Sequence, residues 1–275
     1  MNINKSKIKF SALAASIILS SIILSSCAVS SENYETGFMP DVGVGREAFA
    51  PVQSDDTSDQ KADSSNPQAI PSNSMVICID PGHGFEDGGA QSDFLGEYLE
   101  KDITLDVSKK LKNQLEMLGY TVILTHDGET IPKTPIDDSN DKFNPQERVS
   151  FANSVAGNID YFVSLHCNSY DSSATSGTRI YYYEGNAKST NNDAAIAESI
   201  RGKIETDFPD SVKPTSENEV FYVVKYTHVP ASLIEIGFMT NEQDAANMKD
   251  SDWQVKFAKS IADGIDSYFK ENPAK

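Results

Sequence analysis

Four side chains stand where their types could bind a metal ion or carry a proton. His83 follows a short apolar run, Met75 to Asp80, in the segment Asp80-Pro81-Gly82-His83-Gly84. His166 follows another in Ser164-Leu165-His166-Cys167-Asn168, and Glu235 lies inside a third, Leu233-Ile234-Glu235-Ile236-Gly237. Glu100 opens a long helical pattern just after a glycine-bearing loop. A carboxylate between apolar neighbours on a buried strand is costly unless a cation or a donor meets it. Each residue alone also has an ordinary reading. A histidine after a strand is commonly a turn or core residue. An acid at a helix N-terminus is favoured by the macrodipole. Glu235 could be the buried partner of an arginine such as Arg148 or Arg179. The separations from His83 to Glu100 to His166 match no local ligand signature such as H-E-x-x-H, so only the fold can bring these groups together.

The elements that would do so are legible as periodicities. Met75 to Asp80 is rich in branched residues, is closed by Pro-Gly, and reads as a buried strand. From Glu100 to Leu118 the residues Ile103, Val107, Leu111, Leu115 and Leu118 keep helical spacing, and Gly119 ends the helix. Thr121 to Thr125 predicts a strand, and Asn144 to Ala156 a helix with Pro145 at its first position. Strands follow at Asp160 to Leu165 and Thr178 to Tyr183, then a helix from Ser189 to Phe208. Val220 to Val224 and Ser232 to Ile236 read as strands, and Ser251 to Phe269 as an amphipathic closing helix. Alternation of this kind predicts a single α/β domain with a mainly parallel mixed sheet and helices on both faces. In such sheets the chemistry gathers at the carboxyl ends of the strands, which is where His83 and His166 fall. His126, ending the second strand, is the best alternative ligand; His228, in a loop before the last strand, suits a structural or substrate-facing role.

The segment IDPGHGFEDGGA resembles the opening of the family 3 N-acetylmuramoyl-L-alanine amidases. LEKDITLDVSKKL, QERVSFAN, VSLHCNS and VPASLIEIGFMTN follow in that family's order and at about its spacing, so the resemblance covers Met75 to Phe269. It implies one zinc ion held by His83, Glu100 and His166, with Glu235 as the catalytic carboxylate. Asp80 and Asn168 are candidates for orienting the ligands from behind. Two imidazoles and one carboxylate leave a fourth position open, as catalytic rather than structural zinc requires. The bond implied joins N-acetylmuramic acid to L-alanine in bacterial peptidoglycan. Phe85, Gly88, His126 and Lys225 depart from the family's usual residues, which bears on substrate preference rather than on hydrolysis. Two other readings share these residues: a non-catalytic peptidoglycan-binding lipoprotein, and a zinc peptidase acting within the stem peptide.

The first 27 residues read as a lipoprotein-type signal peptide. Lys5, Lys7 and Lys9 precede the apolar stretch Phe10 to Leu24, and Leu24-Ser25-Ser26-Cys27 resembles the bacterial lipobox, whose cysteine carries lipid. Residues 28–73 are crowded with Ser, Asp, Asn, Gly and Pro and predict a disordered tether. That places a catalytic domain at 74–271, outside the cytoplasm and held to the membrane through Cys27. The formal net charge of −18 argues against nucleic acid as a partner and against electrostatic retention on anionic wall polymers. Cys78 and Cys167, in apolar strand-like settings, are expected as buried free thiols.

Overall fold

The run of branched residues after Met75 forms β1 (Val76–Pro81), and its alternation decides which side of the sheet each residue serves. Ile77 and Ile79 enter one hydrophobic core, while Val76 and Cys78 pack into another on the opposite face. The computed structural model describes residues 75–136, 143–155, 159–185 and 192–273. The expected signal peptide, Cys27 and the tether at 28–73 lie outside the described residues.

Six strands form one sheet in the order β2-β1-β3-β6-β4-β5. β2 (Thr121–Leu124), β1, β3 (Tyr161–Asn168) and β6 (Ala231–Phe238) run parallel. β4 (Arg179–Tyr182) is antiparallel to β6, and the two-residue β5 (Ser216–Glu217) is parallel to β4. The sheet is therefore mixed and mainly parallel, and the α/β class read from the sequence is the architecture found.

The larger core lies under α1 (Glu100–Met117), α3 (Asp193–Asp207), α5 (Glu242–Lys249) and α6 (Ser251–Glu271). Ile103, Val107, Leu111 and Leu115, spaced four apart, form the buried stripe of α1. Burial of each such side chain is worth about 1.5–3 kcal/mol, so this stripe fixes the rotation of the helix and with it the direction of Glu100. The smaller core, on the other face, is covered by α2 (Pro145–Ser154) and α4 (Tyr222–Tyr226). α2 starts on a reciprocal cap: Asn144 Oδ1 accepts from Glu147 N at 3.0 Å, and Glu147 Oε2 accepts from Asn144 N at 2.9 Å. Cys78 and Cys167 are buried free thiols.

One element differs in kind from its sequence reading. The strand expected at Val220 to Val224 is instead the five-residue helix α4. Asn218 Oδ1 accepts from the backbone N–H of both Val220 (2.8 Å) and Phe221 (3.1 Å), which turns the chain into a helical start. A short apolar run buries its side chains equally well in either form, so the local turn decided the outcome.

Candidate active site

His83, Glu100 and His166 come from three different elements and meet at the carboxyl ends of β1 and β3. Their candidate ligand atoms lie within 4.8 Å of one another, and all three residues are buried. Glu100 Oε1 is 3.1 Å from His83 Nε2 and 3.2 Å from His166 Nδ1. The two imidazole rings meet edge to face with centroids 4.9 Å apart.

The backbone leading to His83 is unusual. His83 (φ 61°) and Phe85 (φ 56°) occupy left-handed conformations uncommon outside glycine, and Gly84 (φ 121°) and Gly89 (φ 70°) also have positive φ. Packing accounts for the glycines. A Cβ on Gly89 would lie 2.6 Å from Glu100 Oε2 and 2.8 Å from His83 Cδ2, and one on Gly82 would lie 2.5 Å from His166 Cε1. Hydrogen bonds hold the loop from outside. Arg148 Nη1 donates to Pro81 O at 2.5 Å and to Asp80 Oδ1 at 2.8 Å, and Nη2 donates to His83 O. Thr104 Oγ1, on α1, donates to Gly82 O at 2.7 Å.

Glu100 is fixed by backbone donors. Oε2 accepts from Ala90 N and Oε1 from Cys167 N, both at 2.8 Å. Burial pushes its carboxyl up, but the neighbouring imidazoles of His166 and His83 prevail and hold it well below the usual carboxylate range. His83 Nδ1 faces Asp87 Oδ2 at 2.8 Å, so that contact fixes the ring with Nε2 toward Glu100. Burial opposes a charged His83, yet Asp87 and Glu100 raise its pKa to about 9. Asp87, half-buried, is brought down to about 2, chiefly by its bond with His83. Among the described residues, His83 Nε2 is buried without a hydrogen bond. A buried nitrogen without a hydrogen bond, a second imidazole and an ionised carboxylate on a shared focus are the donor set that suits a divalent cation.

Glu235 stands on β6 directly across from His166 in the β3–β6 register. Its Oε2 is buried without a hydrogen-bond partner. Burial and the nearby negative charge of Glu100 raise its pKa to about 8, with His83 opposing. The arginine partners considered for it are engaged elsewhere. Arg148 is the buried partner of Asp80, and Arg179 Nη1 donates to the carbonyls of Ser176, Gly177 and Thr178. Among the described residues, Glu235 has no ion pair.

The other candidates fall further out. Asp80 touches neither imidazole; it accepts from Thr125 Oγ1 (2.6 Å) and Ser164 Oγ (2.7 Å) as well as from Arg148, and so acts on His83 only through that arginine. Asn168 Oδ1 accepts from Ser169 N at 2.8 Å, a local turn at the end of β3. His126 lies outside the cluster of candidate ligands, with Nε2 2.8 Å from Pro81 O, and so braces the His83 loop. His228 is half-buried, and its backbone N donates to Asn153 Oδ1 at 2.8 Å. Sequence reasoning missed Asp87 and the clamp made by Arg148. An acid four residues after His83 was the available signal for the first, though Glu-Asp-Gly-Gly also reads as a solvated turn.

A family profile described as N-acetylmuramoyl-L-alanine amidase matches residues 77–267. The chain is 33% identical over 195 residues to the N-acetylmuramoyl-L-alanine amidase LytC of Bacillus subtilis, covering 71% of this chain and 36% of that protein, so it spans about a third of LytC. It is 31% identical over 212 residues to the germination-specific N-acetylmuramoyl-L-alanine amidase of the same organism, covering 76% of this chain and 86% of that one. Among solved structures it resembles the amidase AmiC2 of Nostoc punctiforme, with TM-score 0.60 and 31% identity over 71% of this chain and 97% of that chain. It also resembles an N-acetylmuramoyl-L-alanine amidase from Clostridium difficile 630, with TM-score 0.62 and 27% identity over 72% of this chain and 98% of that chain.

Proposed function

Because this chain belongs to the N-acetylmuramoyl-L-alanine amidase family, we propose that it hydrolyses the amide between N-acetylmuramic acid and L-alanine in peptidoglycan, with zinc as its metal. The observation that carries this reading is the convergence of His83, Glu100 and His166 on one buried focus, with the unpartnered carboxylate of Glu235 across the strand pair. His83, Glu100 and His166 would hold the ion, which when bound supplies polarisation of the scissile carbonyl and activation of water.

The remaining work belongs to the chain's own side chains. With the ion bound, Asp87 would keep the His83 proton on Nδ1 and leave the Nε2 lone pair facing inward. Backbone N–H groups of Ala90 and Cys167 hold the Glu100 carboxylate in place. Glu235 takes the proton of the attacking water and delivers it to the departing L-alanine amine, which needs an acid–base group free of any ion pair. Attack of water breaks the C–N bond, leaving a carboxylate on the lactyl group and a free amine on the peptide.

The test is product analysis. Muropeptides digested with the purified domain, with and without zinc, should yield the intact stem peptide bearing a new N-terminal L-alanine. Cleavage inside the stem peptide, or binding without cleavage, would replace this reading. The same proposal places the domain (74–271) outside the cytoplasm on a tether (28–73), following a signal peptide (1–27) and anchored to the membrane by lipid on Cys27. Mass analysis of the mature N-terminus tests this: an acylated Cys27 supports it, and an unmodified N-terminus elsewhere refutes it.

A further inference from the structure

Arg179 and Glu235 are Cα partners in the antiparallel β4–β6 pair, so their side chains leave the same face of the sheet. They form no ion pair. Arg179 instead lays its guanidinium over the Phe238 ring, 5.1 Å from the centroid, three residues beyond Glu235 on β6. All of its hydrogen bonds run through Nη1 to the carbonyls of residues 176–178, so Nε and Nη2 have no protein acceptor among the described residues. Tyr181, two residues along the same strand, points to the same face and registers opposite Leu233. It feels the charges of both Glu235 and Arg179, and its hydroxyl has no hydrogen-bond partner among the described residues.

A half-buried guanidinium with two idle donors, set by a ring and flanked by a free phenol, is the equipment for an oxyanion. Arginine presents its donors as a planar fork that fits a carboxylate at two points. The chain's strong negative charge makes a cation held one strand from the proton carrier a specific feature rather than part of a general basic surface. We propose that Arg179 and Tyr181 bind a carboxylate of the stem peptide and so select substrates that carry one. This deepens the amidase reading and rests on it.

The experiment uses two synthetic N-acetylmuramoyl peptides that differ only in whether the peptide carboxylates are free or capped as primary amides. Wild-type protein should favour the free form in kcat/KM by roughly 10- to 100-fold, the range of a hydrogen bond to a charged group. Arg179→Gln should erase that preference by slowing only the free substrate, and Tyr181→Phe should reduce it several-fold. Loss of the ties from Nη1 could prevent Arg179→Gln from folding. In that case Tyr181→Phe decides through the same ratio, and an unchanged ratio overturns the proposal. Equal wild-type rates on both substrates, or an equal loss on both in Arg179→Gln, overturn it while leaving the amidase reading standing. Failure of the wild type to cleave either lactyl–alanine bond overturns both.

Discussion

Arg148 and Asp80, sixty-eight residues apart in the chain, form a buried ion pair at 2.8 Å beneath the loop that carries His83. The pair is supported on both sides, by Thr125 and Ser164 on the carboxylate and by the carbonyls of Phe143, Pro81 and His83 on the guanidinium. Removing one partner leaves the other charge buried, which costs about 3–5 kcal/mol. Asp80→Asn should therefore lower stability by that order in chemical denaturation. A change below about 1 kcal/mol would show that the pair is not holding the loop.

The same pair sets a pH dependence. Burial pushes the Asp80 carboxyl up, but Arg148 and the two hydroxyls prevail and hold it below the usual carboxylate value. A depressed folded-state pKa contributes stability above the unfolded value and loses it as the pH falls through the folded value. Melting temperature should accordingly fall as the pH drops below about 4. The slope should be smaller in Asp80→Asn, and equal slopes in the two proteins would assign acid lability to other groups.

Metal binding divides the histidines. His83→Ala and His166→Ala should each lose zinc, because each removes one of three protein ligands. His126→Ala should keep it while melting lower, since His126 braces Pro81 rather than joining the cluster. Zinc content of the three purified variants checks this, and an empty site in His126→Ala would redraw the ligand set. Chelation of the wild type should abolish turnover while leaving a cooperative melt.

Glu235→Gln separates holding the ion from moving the proton. The exchange keeps shape and removes the basic carboxylate, so turnover should fall by roughly 10²–10⁴-fold with zinc content unchanged. Stability should hold or rise, because the variant no longer buries a titratable group without a partner. Near-normal turnover in a zinc-loaded protein would remove Glu235 from the mechanism.

Close packing around the ligands gives a steric test. A Cβ on Gly82 would press on His166 Cε1 at 2.5 Å and on the backbone oxygen of Leu165 at 2.6 Å. The backbone contact cannot swing aside, so Gly82→Ala should displace the His166 ring and weaken zinc affinity by tenfold or more, of the order seen when a ligand's support is removed. Competition with a chromophoric chelator measures it; unchanged affinity would mean the loop yields without cost.

Periodicity made most of this frame legible. The four-residue spacing from Ile103 to Leu115 and the alternation through β1 and β3 encode burial directly, and they bring Glu100, His83 and His166 to one end of the sheet. What escaped was contact between distant segments. Arg148 lies on an unremarkable helix, and nothing near it in sequence signals that its guanidinium reaches back to residues 80–83. Asp87 looked like a turn acid because its role depends on the left-handed backbone of His83, which no sequence pattern announces. The α4 segment failed for a different reason: Phe221, Val223 and Val224 are buried, as they would be in a strand, but Asn218, not hydrophobicity, chose helix over strand.

Glu100 carries a further meaning through its two backbone bonds. A candidate ligand whose oxygens already accept from the amides of Ala90 and Cys167 fastens the loop after β1 to the end of β3 by itself. In small zinc-dependent modules the ion is the keystone and the chain collapses without it. Here the keystone is a carboxylate built into the chain, and the two hydrophobic cores on the faces of the sheet hold the frame around it. On the proposed reading the order of assembly is fold first, ion second, so a scarcity of zinc would leave a complete but idle protein rather than an unfolded one.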